Sequence, residues 1–165
     1  MTITPRPAKT IAQSRFTLSH LMGATDANTL GNAHGGVIMK LVDEAGALVA
    51  MRHANRLTVT VAIDSMTFMQ PIRIGDLVLC NATLTYVGRS SMEVRVEVVA
   101  ENPMLGTSQV TNTAYLVYVA LGEDGQPVAV PELRYETDEE RLQGDLARER
   151  QAYRKRQREQ EARRA

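Results

Sequence analysis

Residues 34–53 read HGGVIMKLVDEAGALVAMRH, and this stretch decides the fold. Its apolar residues recur at spacings of three and four, which is the periodicity of an α-helix. The residues in the pattern are Ile38, Leu41, Val42, Ala45, Leu48 and Val49. At about 1.5 Å per residue, roughly eighteen residues would form a helix about 27 Å long. Because most of its circumference is apolar or small, we expect this helix to be buried.

Segments rich in β-branched residues follow the helix, and a shorter one precedes it near residues 16–22. The following segments are LTVTVAID (57–64), LVLCNATLTYV (77–87), SMEVRVEVVAE (91–101) and QVTNTAYLVYVAL (109–121). In the third of these, apolar and charged residues alternate, as in a strand with one buried face. Turn residues separate the segments. The order predicts an α+β fold in which a curved antiparallel sheet wraps around one long central helix.

The chain has 165 residues, which is the length of one domain with a tail. We expect a loose N-terminal arm at residues 1–15, one domain at 16–135 and a charged, basic C-terminal tail at 136–165 that forms an exposed helix. Eight basic and three acidic residues lie between positions 148 and 165. Such a charge run is usually a solvated surface, so no role is assigned to it.

Composition sets limits on the class of protein. Apolar residues make up 44% and charged residues 23% of the chain, as in a soluble globular protein. Basic and acidic residues number 19 each, so the net charge gives no indication of a nucleic-acid partner. The single cysteine, Cys80, fits a reducing compartment, and the cytoplasm is the predicted location. The sequence contains no apolar run long enough to span a membrane, so no membrane association is expected.

The start of the helix is the first candidate site. The sequence contains no nucleophile elbow, metal-ligand cluster or phosphate-binding glycine motif, and Cys80 fits a core position. Gly35 and Gly36 stand where unpaired N–H groups and the positive end of the helix dipole converge. The N–H groups of Gly36 and Val37 could therefore stabilise an oxyanion. Alternatively, the glycines only end a loop and permit close packing.

Asp43 is the second candidate, because a carboxylate in a buried helix needs partners or a function. It could activate a water molecule as a general base or attack a carbonyl carbon itself. Lys40, Asp43 and Glu44 could instead form an ordinary solvated stripe, since residues three and four apart share a helix face. Glu44 is the natural competitor for the catalytic role.

Three motifs carry a resemblance to a known family. They are ANTLGNAHGGVIMKLVDEAG (27–46), FMQPIRIGD (68–76) and VGRSSM (87–92). In this order they resemble the cytosolic acyl-CoA thioester hydrolases, a family of hotdog-fold proteins, from about Phe16 to about Leu133. The resemblance implies a hotdog fold and hydrolysis of acyl-CoA to a carboxylic acid and coenzyme A. It implies no cofactor, because coenzyme A is part of the substrate, and no metal ion.

The resemblance also implies roles for individual residues. Asn28 and Asp43 form the catalytic pair and come from opposite hotdog domains. The substrate is bound by residues at the helix start and in the loop between two strands, namely His34, Gly35, Gly88, Arg89, Ser90 and Ser91. Because this chain has one hotdog domain, a second copy must supply the other half of the site. A homodimer with shared sites is expected, assembled as a trimer of dimers.

Two other functions stay open on sequence grounds. A hotdog hydratase or dehydratase would use His34 and Glu44 to move protons, although His34 is followed by two glycines and not by the Pro and Phe that this class places close after its His. A non-catalytic acyl-CoA-binding protein is the second alternative. Release of free thiol from acyl-CoA distinguishes the three functions.

Overall fold

The computed structural model describes residues 6–163. A five-stranded antiparallel sheet forms the body, with the strand order β2-β4-β5-β6-β3, and a separate pair joins β1 to β7. The elements in chain order are β1 (Ala8–Thr10), β2 (Phe16–Leu21), α1 (Gly35–Ala54), β3 (Leu57–Met66), β4 (Leu77–Val87), β5 (Ser91–Asn102), β6 (Thr107–Leu121), β7 (Glu132–Arg134) and α2 (Asp138–Ala162). The predicted central helix and the predicted strands are confirmed, with bounds that differ by at most two residues.

Helix α1 packs against one face of the curved sheet and contacts all five of its strands. The alternating residues of β4 and β5 that face the helix are buried, namely Val78, Cys80, Ala82, Leu84, Met92, Val94, Val96 and Val98. Cys80 is therefore a core residue, and its burial raises the pKa of the thiol to about 12. The helix ends at Asn55, which adopts a left-handed conformation with φ of 51°.

The charged C-terminal segment forms helix α2, which packs on the opposite face of the sheet. Thr137 caps the helix, and its hydroxyl accepts the N–H of Glu140. Arg150 and Arg154 both donate to Glu93 of β5, whose side chain is only 1% exposed. One face of α2 is therefore bound to the domain, in contrast to the exposed helix expected from its charge. Neither α1 nor α2 is both long and apolar enough to cross a membrane.

The N-terminal segment is ordered from β1 onward, which differs from the loose arm expected from the sequence; residues 1–5 of that arm lie outside the described residues. β1 pairs in parallel with β7, and Ile11 and Ser14 are buried. The segment is fixed because Lys9 donates to the carbonyl oxygens of Arg52 and His53 at the C-terminal end of α1. It thus caps the helix end, where basic side chains are favoured.

Strand β3 lies at one edge of the sheet, and among residues 6–163 it pairs only with β6. Its apolar residues are unusually exposed: Leu57, Val59, Val61 and Ile63 are between 43% and 75% exposed. A long apolar edge strand of this kind is a template for pairing with another chain. This edge is the surface of the domain best suited to self-association.

Candidate active site

Asp43 lies at the centre of a group of hydroxyl donors. Its Oδ1 atom accepts hydrogen bonds from the Thr60 hydroxyl at 2.7 Å and from the Tyr118 hydroxyl at 3.2 Å. Tyr118 also contacts the main-chain oxygen of Asp43 at 2.9 Å. Within residues 6–163, no hydrogen bond involves the second carboxylate oxygen, Oδ2. The carboxylate is thus held by one oxygen while the other is available to a water molecule or a substrate.

Tyr118 is fully buried beneath this carboxylate. Burial, reinforced by the nearby charge of Asp43, raises the pKa of the phenol far above its ordinary value, so that the hydroxyl stays protonated and donates. A glycine makes room for it: a Cβ at Gly46 would lie 2.3 Å from the Tyr118 oxygen. Gly46 stands almost one helical turn after Asp43, so the D-E-A-G sequence of α1 encodes both the carboxylate and the space for its donor.

Glu44 points away from this group. Its carboxylate pairs with Lys40 at 3.6 Å, and both side chains are largely exposed, at 48% and 73%. The surface ion pair considered from the sequence therefore forms, but it excludes Asp43. The packing of α1 against β3 and β6 separates the two adjacent carboxylates, and Asp43 is the one that faces the hydroxyl donors.

Asn28 is fixed by a turn that precedes α1. Its Oδ1 atom accepts the N–H groups of Leu30 at 2.9 Å and Asn32 at 3.2 Å, and Gly31 adopts a φ of 78° that the turn requires. Because both donors face Oδ1, the amide nitrogen Nδ2 is directed elsewhere. Asn28 lines a cavity of about 320 Å³ together with Gly35, at the start of α1, and Phe68. Its amide is a donor held next to the helix N-terminus.

The N–H groups proposed for an oxyanion are hydrogen-bonded in this structure. His34 is the N-cap of α1, and its Nδ1 atom accepts the Gly36 N–H at 2.9 Å. The Val37 N–H donates to the main-chain oxygen of His34 at 2.9 Å. Only the first of these acceptors is a side chain that can rotate away. A rotation of the His34 ring would therefore release the Gly36 N–H, whereas the Val37 N–H is held by a main-chain acceptor.

The loop between β4 and β5 forms a tight turn with an exposed Arg89 at its tip. The Gly88 N–H donates to the Ser91 carbonyl at 2.8 Å, and the Ser90 carbonyl accepts the Ala120 N–H. Arg6, from the N-terminal segment, donates to the carbonyl of Gly88 at 2.9 Å and so holds the loop from outside. These hydrogen bonds hold the loop on both sides of Arg89, whose side chain is exposed.

The structure thus forms two half-sites and does not bring them together. No hydrogen bond connects Asn28 and its cavity with Asp43, Thr60 and Tyr118 in the part of the chain that the structure describes. The sequence analysis did not predict the contacts of Thr60, Tyr118 and Arg6. The only related feature of the sequence is Gly46, three residues after Asp43, which leaves space for Tyr118. Among residues 6–163 no group of His, Cys, Asp or Glu side chains could hold a metal ion.

A sheet wrapped around a central helix, with a donor-held carboxylate on that helix and glycines at its start, defines the class of hotdog-fold acyl-thioester proteins. The family model of the thioesterase superfamily matches residues 30–107. A Bacillus subtilis protein named as an uncharacterized acyl-CoA thioester hydrolase is 41% identical over 70% of this chain and 67% of its own length. The rat cytosolic acyl coenzyme A thioester hydrolase is 37% identical over 84% of this chain, which spans 37% of that relative's length. The chain belongs to the acyl-CoA thioester hydrolases of the thioesterase superfamily.

Solved structures agree with this assignment. An apo-hexameric acyl-CoA thioesterase is 35% identical and has a TM-score of 0.88 over 92% of this chain and 97% of its own. An acyl-CoA hydrolase of Staphylococcus aureus, solved with butyryl coenzyme A and coenzyme A, is 32% identical with a TM-score of 0.87 over 95% of this chain and 96% of its own. Its Asn28→Ala, Asp43→Ala and Thr60→Ala variants have also been solved. This chain has the same residue types at those three numbers.

Proposed function

We propose that this protein hydrolyses acyl-CoA thioesters to a carboxylic acid and coenzyme A. The observation that carries the proposal is the Asp43 carboxylate, which Thr60 and Tyr118 hold through Oδ1 while Oδ2 has no partner among the described residues. An oriented carboxylate with one accessible oxygen can remove a proton from water or attack the thioester carbonyl. Thr60 and Tyr118 act as positioning residues in either case.

The Asn28 half-site would supply the electrophilic part of the chemistry. The thioester carbonyl oxygen gains negative charge as the tetrahedral intermediate forms. In the proposal, the Asn28 amide and the Gly36 N–H donate to the reacting groups at the N-terminal end of α1, where the helix dipole also favours negative charge. His34 and Gly35 line the approach to that point. When the tetrahedral intermediate collapses, the C–S bond breaks and coenzyme A leaves as a thiolate, which takes up a proton to give the free thiol.

The two halves would meet across an interface between two copies of the chain. Thr60 lies on β3, whose outer edge is unpaired and apolar. Pairing of β3 with the same strand of a second copy about a two-fold axis would bury this edge and bring each Asp43 next to the partner's Asn28 half-site. We propose that these dimers associate further as a trimer of dimers, and the hexameric state of a similar enzyme supports this proposal.

Coenzyme A would bind along Gly88, Arg89, Ser90 and Ser91. The exposed Arg89 guanidinium suits a phosphate group, and the serine hydroxyl groups can donate to its oxygens. The reaction needs only water, the substrate and these side chains, so we propose that no cofactor or metal takes part. We place the activity in the cytoplasm, in keeping with the name of the rat relative.

The geometry disfavours a hydratase built on His34 and Glu44. The His34 ring accepts the Gly36 N–H at the start of α1, whereas Glu44 pairs with Lys40 on the exposed side of the helix. Among residues 6–163 the two side chains share no hydrogen-bond or ion-pair partner. Within one chain they therefore do not form a common site.

Thiol release from a series of acyl-CoAs of increasing chain length tests the proposed function. We expect turnover of at least one member of the series, with stoichiometric formation of the carboxylic acid. Hydration of an enoyl-CoA without thiol release would identify a hydratase. Saturable binding of acyl-CoA without any turnover would identify a binding protein.

A further inference from the structure

A groove of about 580 Å³ lies between helix α2 and the outer face of the sheet. Its floor is apolar and includes Val61 of β3 and Val117 and Val119 of β6. One end of the groove is formed by Ser91, which is paired with Val119 in the sheet and belongs to the loop that we propose for coenzyme A. The groove is therefore continuous with the proposed substrate-binding loop.

The wall of the groove is basic. Arg148, Lys155 and Arg158 line it, and Glu159 is the one acidic residue of the same helix face. Arg148 is paired with Asp145 and lies over the Tyr86 ring. The ion pairs of α2 involve its arginines at 141, 148, 150 and 154. Within residues 6–163 none of them involves Lys155 or Arg158, so these two cations form no ion pair, although Glu159 lies on the same wall.

The orientation of α2 is fixed by other residues than these. Arg150 and Arg154 bind the buried carboxylate of Glu93, and Arg154 also binds Asp64. Arg150 does not line the groove, and Arg154 lines it beside Lys155 and Arg158 while its own charge is taken up by Glu93 and Asp64. Anchoring through Glu93 therefore holds Lys155 and Arg158 over the groove without using their charges.

We propose that this groove binds the phosphate groups at the nucleotide end of coenzyme A, with Lys155 and Arg158 as the phosphate-binding side chains. The inference rests on the proposed function, which supplies the ligand. Coenzyme A carries a diphosphate and a 3′-phosphate, so two cations that form no ion pair, next to an apolar floor, complement a nucleotide. Ser91 and Arg89 would contact the part of the ligand that leads toward Asp43.

The test compares the double variant Lys155→Gln/Arg158→Gln with Arg156→Gln, which removes an exposed cation of α2 that does not line the groove. We expect the double variant to raise the KM for an acyl-CoA by about fivefold, the effect of two exposed charge contacts, with little change in kcat. The KM for the same acyl group on pantetheine, which lacks the nucleotide, should not change. Arg156→Gln should leave both substrates unaffected.

Calorimetric titration with adenosine 3′,5′-bisphosphate tests the groove without catalysis. The double variant should bind it about fivefold more weakly than the wild type, and the charge-retaining variant Lys155→Arg/Arg158→Lys should bind it normally. Equal binding by all variants, or an equal loss for acyl-pantetheine, would contradict the inference. A change in oligomeric state without a nucleotide-dependent effect would instead identify the groove as an interface between copies. A wild type that turns over no thioester would contradict the proposed function alone, since this titration still decides the groove.

Discussion

At the scale of single residues, the structure separates two adjacent carboxylates that the sequence leaves equivalent. Asp43 faces the hydroxyl groups of Thr60 and Tyr118, and Glu44 faces solvent in a pair with Lys40. The difference arises from a rotation of about 100° between successive helix residues. Only one of the two side chains can then point toward the sheet edge at β3.

Asp43→Asn should fold and bind acyl-CoA but lose most of its turnover. The amide has nearly the same volume but cannot accept a proton or attack a carbonyl, and a general base typically contributes about 10²–10⁴ in rate. Steady-state thiol release, with circular dichroism as the check of folding, measures the effect. Glu44→Gln is the matched control and should retain normal kcat. If the two variants behaved in the opposite way, Glu44 would be the catalytic carboxylate.

Thr60→Val should lower kcat by about ten- to a hundredfold, because a hydrogen bond to a charged group contributes about 1.5–3 kcal/mol. The Thr60 hydroxyl lies 2.7 Å from the Asp43 carboxylate and orients it. Thr60→Ser keeps the hydroxyl and should retain most of the activity. If Thr60→Val only impaired folding, its melting temperature would fall, and the hydroxyl of the Ser variant would not by itself restore kcat. Retention of full kcat in the Val variant would show that the contact has no role in turnover.

At the scale of elements, the contact between α1 and β6 depends on the absence of a side chain at Gly46. A Cβ atom at Gly46 would lie 2.3 Å from the Tyr118 oxygen and 3.0 Å from two carbons of its ring. A glycine in a helix interior lowers helix stability by about 1 kcal/mol relative to alanine. This lower helix stability is offset because the space at Gly46 lets the Tyr118 hydroxyl reach Asp43.

Gly46→Ala should therefore destabilise the protein, by about 1–3 kcal/mol, in spite of the better helix propensity of alanine. Tyr118 is fully buried and cannot move aside. Denaturant unfolding measures the change. Adding Tyr118→Phe removes the closest atom of the clash and should recover part of the lost stability. A stabilised Gly46→Ala variant would mean that the tyrosine has room to shift.

At the scale of the whole molecule, His53 joins three parts of the chain. It is fully buried at the end of α1, where its Nε2 atom lies 2.9 Å from the Pro131 carbonyl and its Nδ1 atom 3.3 Å from the Ser14 hydroxyl. In the neutral ring, Nε2–H donates to Pro131 and Nδ1 accepts from Ser14. Burial, the largest effect, and the nearby Lys9 lower the pKa of His53, and the hydrogen bond to Pro131 only partly opposes them.

The lowered pKa of His53 predicts that stability falls in mild acid. The unfolded chain takes up a proton near pH 6.5, while the folded chain resists it down to its own lower pKa. The stabilising contribution is therefore complete above about pH 6.5 and is lost as the pH falls from there toward the folded pKa. Melting temperatures measured between about pH 7.5 and 5.5 should show this loss. His53→Gln should flatten the dependence, and an unchanged slope would contradict the assignment.

The assembly of the molecule predicts complementation between inactive variants. If Asn28 and Asp43 act across the interface, a mixed dimer of Asn28→Ala and Asp43→Ala chains contains one intact site and one doubly altered site. Refolding an equimolar mixture should give about half mixed dimers and about a quarter of the wild-type activity. Mass spectrometry verifies that mixed dimers form. A catalytic pair within one chain predicts no recovery, because every site would still lack one partner.

The sequence by itself determined the elements and the class of the protein. The spacing of Ile38, Leu41 and Val42 predicted α1, and the alternation in β5 predicted a strand, because both periodicities depend only on local backbone geometry. The three motifs led to the correct family because they hold the residues of the helix start and its loops. The roles of Asn28 and Asp43 were predicted from the same motifs, and these roles and their joint action in one site stay predictions.

Only the tertiary structure decided which side chains surround Asp43 and what fixes α2. In the sequence, Thr60 and Tyr118 lie 17 and 75 positions from Asp43, which they contact, and Arg150 lies 57 positions from Glu93. Such contacts depend on the register of β3 with β6, including its bulge, and on the depth at which α1 packs. No local pattern encodes them. A charged helix therefore looked like solvated surface in the sequence, although Glu93 and Asp64 on the sheet bind it to the domain.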